Sequence, residues 1–314
     1  MIISASYKTD IPTFYGEWFI RRLRAGFCKM VSPYAKQTYR VDLGPDSVDG
    51  FVFWTKNVGP FFSRLKEVNA RGFPFYVQYT INGYPQALET SVVNALRSVE
   101  NMKRLAGHYG SKVNVWRYDT IIISSLTPTD FHRRNFESLA KALRGATEEV
   151  VVSFAQIYRK TLLNMNRAAK ESDFSWDDPS YEAKKVLILE LAQMAAACDM
   201  KLSVCAQPQF LAPGVCDAHC VDVARLCEIS GRPVRARLHG NRPGCACFAS
   251  KDIGEYDTCP HGCVYCYAVL NRRVAQQRYK KHNPASEFLF EPRGRLLDGK
   301  DRQEEKHPLQ ARLF

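Results

Sequence analysis

The sequence predicts an α/β fold in which parallel strands alternate with helices. Apolar runs of strand length recur along the chain, and segments with helical spacing of their apolar residues lie between them. A repeated strand–helix order requires crossover connections, which join parallel strands. Six or seven such units occupy about 240 residues. We therefore predict a full or partial TIM-like (β/α) barrel with a C-terminal cysteine-rich, cluster-binding segment.

The predicted strands are apolar runs that end at turn residues. They cover residues 2–6, 48–55, 73–81, 113–123, 150–155, 201–206 and, as the weakest of the set, 234–238. The second strand shows the pattern best, because Pro45-Asp46 precedes it and Asn57-Val58-Gly59-Pro60 follows it.

The predicted helices fill the intervals between these strands. They cover residues 14–28, 61–70, 87–109, 127–143, 180–198 and 218–230. In the first helix Phe14 and Trp18 recur on one side, as do Phe19 and Leu23. The segment Thr127–Asp130 is typical of a helix start.

Length and charge restrict the classes of protein to consider. The chain has 314 residues and a net charge of +12, from 44 Lys and Arg against 32 Asp and Glu. A basic balance favours a polyanionic partner such as nucleic acid, although a merely basic surface also explains it. The first residues resemble a buried strand rather than a signal peptide, and we find no apolar run of membrane-spanning length. We expect a cytoplasmic protein without a membrane partner.

A cysteine triplet near the C-terminus is the strongest chemical signal. Cys259, Cys263 and Cys266 are separated by three and two residues, and five of the 11 cysteines fall in residues 245–266. Three thiolates on a short loop can hold one face of a cubane iron–sulfur cluster and leave its fourth iron open, whereas electron-transfer clusters usually use four cysteines. Zinc is an alternative, since His261 lies within the loop. Disulfide bonds are a third alternative, but they are disfavoured because we expect a cytoplasmic protein and the cytoplasm is reducing.

The triplet resembles the signature of radical S-adenosylmethionine enzymes, including the aromatic residue Tyr265 just before Cys266. The resemblance implies a [4Fe-4S] cluster, S-adenosylmethionine at its open iron, and a reductant such as flavodoxin or ferredoxin. In that superfamily the triplet usually follows the first barrel strand, whereas here it lies near the C-terminus. The sequence also lacks the Gly-Gly-Glu run that usually contacts the methionine group.

Two narrower resemblances extend this one. The run Tyr265-Cys266-Tyr267 is similar to spore photoproduct lyase, a family that repairs a thymine dimer in DNA. Residues 250–268, together with Ser4-Ala5-Ser6 and residues 9–12, resemble a bacterial family called domain of unknown function 1848. That likeness extends over most of the chain.

Polar residues at the predicted strand ends are candidates for the active site, because barrel enzymes place their sites there. Charged residues interrupt the fourth strand, which is costly unless they are paired or functional. The candidate catalytic residues are Arg117, Tyr118 and Asp119. The candidate cofactor-binding residues are Lys8, Asp10, Gln207 and Tyr265. A structural role, such as a local ion pair or a cap, is the alternative for each.

Four further cysteines form a second candidate metal site. Cys205 ends the sixth strand, Cys220 lies in the next helix or its cap, and Cys245 and Cys247 follow the seventh strand. If the four converge, they suit a second iron–sulfur cluster or a tetrahedral zinc ion. Cys216 is an alternative ligand.

The C-terminal part is basic and then polar. Residues 271–281 contain five Lys or Arg with Tyr279 among them, a pattern that fits nucleic acid or a solvated helix face. We divide the chain into a barrel-like domain (1–240), a cysteine-rich segment with this basic helix (241–291) and a flexible tail (292–314). The end, Gln310 to Phe314, resembles the peptide that docks on the bacterial DNA sliding clamp.

These observations favour one function and leave two alternatives. The leading hypothesis is an iron–sulfur enzyme of the radical S-adenosylmethionine type that acts on nucleic acid, in DNA repair or base modification. A radical enzyme acting on a metabolite or peptide is the second. A non-enzymatic, metal-bound DNA-binding or scaffold protein is the third.

Overall fold

The fold is built around one parallel β-sheet. The computed structural model describes residues 1–32 and 37–292. The strands are β1 Ile2–Ala5, β2 Phe27–Val31, β3 Thr38–Asp42, β4 Gly50–Thr55, β5 Phe75–Thr80, β6 Asn114–Ile121, β7 Ile123–Ser124, β8 Glu149–Phe154, β9 Trp176–Asp177, β10 Lys201–Val204, β11 Val215–Asp217 and β12 Ser250–Asp252. The α-helices are α1 Ile11–Phe14, α2 Gly16–Ala25, α3 Phe62–Ala70, α4 Ala95–Tyr109, α5 Thr129–Leu143, α6 Arg159–Glu171, α7 Tyr181–Ala196, α8 Val223–Ser230 and α9 Arg272–Lys280. Beyond residue 292, the predicted tail and its clamp-like end lie outside the described residues.

Eight of these strands form the sheet, in the order β11-β10-β8-β6-β5-β4-β1-β12. All neighbouring strands in it are parallel. From β1 to β11 the order along the sheet follows the order along the chain, and β12 returns to pair with the other side of β1. Two small antiparallel pairs, β2 with β3 and β7 with β9, complete the described strands. The predicted α/β fold with parallel strands is confirmed.

The sheet is not closed, so a full barrel does not form. In the described part of the chain β11 and β12 are its two edges, and no ladder joins them. The strand predicted at residues 234–238 does not form. Its backbone pairs instead with the following cysteine segment, through Leu238 opposite Phe248 and through His239 N, which donates to Cys247 O at 2.9 Å. These bonds tie the segment to residues 247–248, and within the described residues no ladder runs from it to either edge strand.

Both faces of the sheet are buried, as expected for parallel strands. On one face, side chains such as Phe53 and Val77 pack against the helices in the main core. On the opposite face, Val52 and Tyr76 pack with four cysteines and α8 in a second core. Within the described residues, none of the helices is both long and apolar enough to cross a membrane.

Several local elements differ from the sequence prediction. The helix predicted from residue 87 begins at Ala95, where the Asn94 side chain accepts from Leu96 N at 2.8 Å and caps it. Residues 85–94 are therefore free to contact other segments. The hairpin of β2 and β3 and helix α6 were not predicted. The first predicted helix ends early, because Gly26 adopts a left-handed conformation and β2 begins directly after it.

Candidate metal centres at the carboxyl edge of the sheet

The loop after β12 carries the cysteine triplet; residues 257–268 are called the cysteine loop here. Since β12 is parallel to β1, the loops that follow these two strands leave the sheet at the same edge. His261 Nε2 of the cysteine loop donates to Asp10 Oδ2 at 2.8 Å, and both side chains are buried. The cysteine loop is therefore anchored beside the end of the first strand.

Asp10 joins three segments. Its Oδ1 accepts from Thr13 N and from Thr55 Oγ1, each at 2.8 Å, and its Oδ2 also accepts from Lys56 N at 2.8 Å. The first of these bonds caps α1, and the others attach the end of β4. The sequence prediction made Asp10 a cofactor-binding residue. Its described contacts are structural: they attach the cysteine loop to the start of α1 and the end of β4.

Residues 88–91 hold the other side of the cysteine loop. Ser91 N donates to His261 O at 2.8 Å, and Val264 N donates to Leu88 O at 3.1 Å. Glu89 and Cys263 form an isolated antiparallel bridge. This stretch was predicted to be helical, so Glu89 was not recognised as part of the site.

A buried polar cluster lies between the sheet edge and the cysteine loop. Lys56 Nζ donates to Glu89 Oε1 at 2.8 Å and to the Tyr265 hydroxyl at 3.1 Å. Asn82 Nδ2 donates to the same two oxygens, each at 3.0 Å, and Tyr265 also bonds directly to Glu89. Burial has the largest single effect on the pKa of Lys56 and lowers it. The charge and hydrogen bond of Glu89, together with the charges of Cys263 and Asp119, raise it, so that the pKa lies above its usual value. The cluster therefore holds a charged ion pair against Tyr265.

The three thiols of the cysteine loop are partly exposed. Burial raises the pKa of Cys259, Cys263 and Cys266. The charge of Asp10 raises that of Cys259 further, whereas the Lys56 ammonium group opposes the rise at Cys263 and Cys266. The thiols are therefore protonated at neutral pH unless a cation binds, since a coordinated thiol loses its proton.

The structure brings Cys205, Cys220, Cys245 and Cys247 together on the second face of the sheet; we call them the four-cysteine group. Cys220 Sγ lies 3.5 Å from Cys205 Sγ. Cys247 contacts Cys220 on one side and Cys245 on the other, and its Sγ accepts from Val221 N at 3.4 Å. A hydrogen bond from Cys247 is the main reason why the pKa of Cys245 is lowered to about 7.

Neither group of cysteines is drawn closely around a common centre. Among residues 1–32 and 37–292, no three or more His, Cys, Asp or Glu side chains are arranged so that they could hold a metal ion as they stand. The donor chemistry fits nonetheless, because thiolates are the ligands of iron–sulfur clusters and of structural zinc. A metal at either group would have to draw the side chains together.

The family follows from a comparison with known protein families. A model described as Domain of unknown function (DUF1848) matches residues 2–268. The chain belongs to the DUF1848 family. The matched residues include the triplet and the four-cysteine group. No curated protein and no solved structure matches the chain significantly.

The predicted catalytic residues of this DUF1848 chain divide between the two faces, because successive strand residues point in opposite directions. Arg117 donates to Cys220 Sγ at 3.0 Å, to Gln78 Oε1 at 3.1 Å and, from Nε, to Asp119 Oδ2 at 3.1 Å. Tyr118 lies in the main core, where its hydroxyl bonds to His132 Nδ1 at 2.9 Å. Arg117 and Asp119 thus border the four-cysteine group, and Tyr118 does not.

Two other predicted residues make structural contacts, and one unpredicted residue joins the site. Gln207 binds the last residue of β8: its side chain accepts from Phe154 N at 2.9 Å and donates to Phe154 O at 3.2 Å. Lys8 pairs with Asp252 at 3.6 Å. Arg242 lies 3.6 Å from Cys205 Sγ and donates to Gln156 Oε1 at 3.2 Å. Arg242 lies in an irregular segment, so its place beside Cys205 was not predictable from the sequence.

The basic helix α9 is partly occupied by structural contacts. Arg272 Nη2 donates to Ser91 Oγ at 2.6 Å, and Arg278 pairs with Glu255. The Tyr279 ring packs edge-on against Phe14, with the ring centroids 5.3 Å apart. These side chains hold α9 against α1, residues 88–91 and the segment just before the cysteine loop, so only part of the predicted nucleic-acid surface is available on this helix.

Proposed function

We propose that the protein is an iron–sulfur enzyme of the radical S-adenosylmethionine type that acts on nucleic acid, in DNA repair or base modification. Cys259, Cys263 and Cys266 would hold the [4Fe-4S] cluster. Arg117 and Asp119 would act from the neighbouring second face, beside a four-cysteine group that would hold a second cluster or zinc. A flavodoxin or ferredoxin would supply the electron.

The observation that carries this proposal is the pairing of β12 with β1. Radical enzymes of this type usually carry the cysteine triplet after the first strand of a barrel, and here the triplet is near the C-terminus. The pairing places the cysteine loop beside the segment after β1, where Asp10 binds His261. The triplet can therefore lie near the C-terminus of the chain and still be next to the first strand of the sheet. The sequential strand order also fits a partial barrel, open between β11 and β12.

The three cysteines would hold the cluster, whose chemistry would be the one-electron reduction of S-adenosylmethionine, with the electron supplied by the flavodoxin or ferredoxin. The chain's own residues contribute position and charge. Asp10 binds the ring of His261 and Ser91 binds its backbone carbonyl, which fixes the loop. The Lys56–Glu89 pair holds the hydroxyl of Tyr265, the residue just before Cys266. Lys56 also places a positive charge near these two sulfurs, which favours their thiolate forms.

The nucleic-acid part of the proposal is supported by charge. The net charge is +12, and Arg273, Lys280 and Lys281 of the α9 region are exposed. A protein that binds a phosphate backbone loses affinity as salt rises, because its cations release condensed counterions from the nucleic acid. The absence of any binding at low salt would contradict this part of the proposal.

The test is the reductive cleavage of S-adenosylmethionine by the full chain under anaerobic conditions. We expect 5′-deoxyadenosine after addition of a strong reductant. The product should fall to background in Cys259→Ala, Cys263→Ala and Cys266→Ala. Cys198→Ala is the matched control, because Cys198 is buried at the end of α7 and belongs to neither group. Equal product in all four variants, or none in the iron-loaded wild type, would contradict the proposal.

The four-cysteine group favours one alternative, a non-enzymatic zinc protein that binds DNA or acts as a scaffold. The four cysteines bring together the end of β10, the segment before α8 and residues 245–247. A metal ion bound to them would cross-link these three segments. Structural zinc sites of four cysteines serve this purpose. Purified protein that contains zinc, no iron, and no ability to cleave S-adenosylmethionine would establish this alternative.

A further inference from the structure

Two exposed tyrosine rings and three half-buried side chains form a surface beside the cysteine loop. It consists of Tyr7, Lys8, Lys160, Tyr256 and Tyr267, and we call it the tyrosine–lysine surface. Lys8 Nζ lies 5.5 Å from the centroid of the Tyr7 ring and 5.6 Å from that of Tyr256. Lys160 Nζ, on α6, lies 5.5 Å from the same Tyr256 ring. Three segments distant in sequence therefore meet around one aromatic ring.

Tyr267 connects this surface to the triplet. It follows Cys266 directly, and its hydroxyl donates to Tyr7 O at 2.6 Å. Tyr256 is 41% exposed and Tyr267 is 40% exposed, although each also has protein neighbours. The hydroxyl of Tyr267 is thus fixed while much of its ring is open to solvent.

The charge of this surface is positive. Within the described part of the chain, Lys160 has no carboxylate within ion-pair distance, whereas Lys8 pairs with Asp252. The two acidic residues that flank Tyr256 in the sequence are already engaged: Glu255 pairs with Arg278, and Asp257 Oδ1 accepts from Leu270 N at 2.6 Å. Lys160 is therefore the cation of this surface that can pair with a bound anion.

We propose that the tyrosine–lysine surface binds single-stranded nucleic acid. Unpaired bases would stack on Tyr256 and Tyr267, and a backbone phosphate would pair with Lys160. Aromatic rings interleaved with cations are the usual means of binding single strands without sequence preference. Bases inside a duplex are already stacked and cannot reach such rings. This inference rests on the proposed function in one respect, since it places the base beside Cys266.

The experiment is a binding titration of the full chain with fluorescently labelled oligonucleotides of about 16 nucleotides. DNA and RNA strands of one sequence, and the corresponding duplex, are compared by fluorescence anisotropy. We expect Tyr256→Ala and Tyr267→Ala each to weaken single-strand binding by about five- to hundred-fold. Lys160→Gln should reduce the slope of log affinity against log salt by about 0.7.

A second tyrosine–lysine pair provides the matched control. Tyr181 is 42% exposed, and Lys185 Nζ lies 5.8 Å from its ring centroid, but the pair lies on α7 and outside the tyrosine–lysine surface. Tyr181→Ala and Lys185→Gln should leave the affinity unchanged. Tyr256→Phe keeps the ring and should bind as the wild type does, which separates loss of stacking from misfolding.

Binding of DNA or RNA single strands that depends on Tyr256 and Tyr267 but not on Tyr181 supports the inference. No binding at low salt, equal or tighter binding of the duplex, or equal losses in the two sets of variants would overturn it. The titration does not require a cluster. Tyrosine-dependent binding by a protein without iron would therefore support this inference and contradict the proposed enzyme function. Cleavage of S-adenosylmethionine by a protein whose binding of single strands does not depend on Tyr256 and Tyr267 would support the enzyme function and overturn this inference.

Discussion

Lys56 and Glu89 form a buried ion pair against the cysteine loop. Their side chains are 13% and 4% exposed, and the Lys56 Nζ to Glu89 Oε1 distance is 2.8 Å. A buried pair contributes little in net terms, but removing one partner leaves an uncompensated charge. The pair is therefore most sensitive to substitution of a single member.

We predict that Lys56→Met lowers the free energy of unfolding by about 3–5 kcal/mol, measured by urea denaturation. The double variant Lys56→Met with Glu89→Gln should lose less, because no buried charge remains. Lys29→Met is the control, since the Lys29–Glu287 pair is exposed and should contribute less than about 1 kcal/mol. Similar losses in Lys56→Met and Lys29→Met would contradict this reading of the site.

His132 is a buried, neutral histidine on the main-core face of the sheet. Its Nε2–H donates to Ile122 O at 2.9 Å, and its Nδ1 accepts from the Tyr118 hydroxyl. Burial lowers the pKa of His132 to about 4. A protonated Nδ1 would face a hydroxyl that is positioned to donate, so the folded state resists protonation.

The pH dependence follows from this lowered pKa. The unfolded chain takes up the His132 proton at about pH 6.5, whereas the folded chain does so at about 4. Stability is therefore full above pH 6.5 and falls as the pH drops towards 4, by about 3 kcal/mol for this group. Urea unfolding of the wild type and of His132→Asn at several pH values measures the difference. The same pH dependence in both proteins would contradict the prediction.

Among the structural elements, the cysteine loop depends on two neighbours, the segment after β1 and residues 88–91. Asp10 reaches it through His261, and Ser91 N reaches the backbone of the same residue. A segment held by a few buried bonds opens locally when one of them is lost.

Asp10→Ala should therefore loosen the cysteine loop more than it destabilises α1. Loss of the helix cap alone costs about 1 kcal/mol. We expect faster hydrogen–deuterium exchange in residues 257–268 and 88–91, measured by mass spectrometry, with little change in α5. Asp130→Ala is the control, because Asp130 is an exposed residue in the first turn of α5. Faster exchange confined to residues 11–14 would show that Asp10 does not anchor the loop.

At the scale of the whole molecule, the strand–helix alternation was predictable because each element carries its own periodicity. The fact that the sheet stays open was not predictable from the sequence. Residues 234–238 alternate as a strand should, but their partners are the backbone groups next to Cys247, which are a matter of tertiary structure. Short β12 gave no periodic signal, yet its pairing with β1 determines where the triplet lies.

The candidate site was predictable in part for the same reason. Cysteines at strand ends could be assigned to one edge of a parallel sheet, and the structure brings Cys205 and Cys220 into contact there. Asp10 and Gln207 were also found at that edge, but their described contacts are structural. Glu89 and Arg242 lie in irregular segments, whose positions depend on the finished fold.

The central claim is that a late cysteine loop, placed beside the first strand, holds an iron–sulfur cluster. The most direct measurement is the iron and sulfide content of anaerobically purified full-length protein and its Cys263→Ala variant. We predict that the variant contains about four fewer irons and four fewer sulfides per chain than the wild type, whatever metal the four-cysteine group holds. Equal iron and sulfide in the two proteins, or zinc alone in the wild type, would contradict the claim.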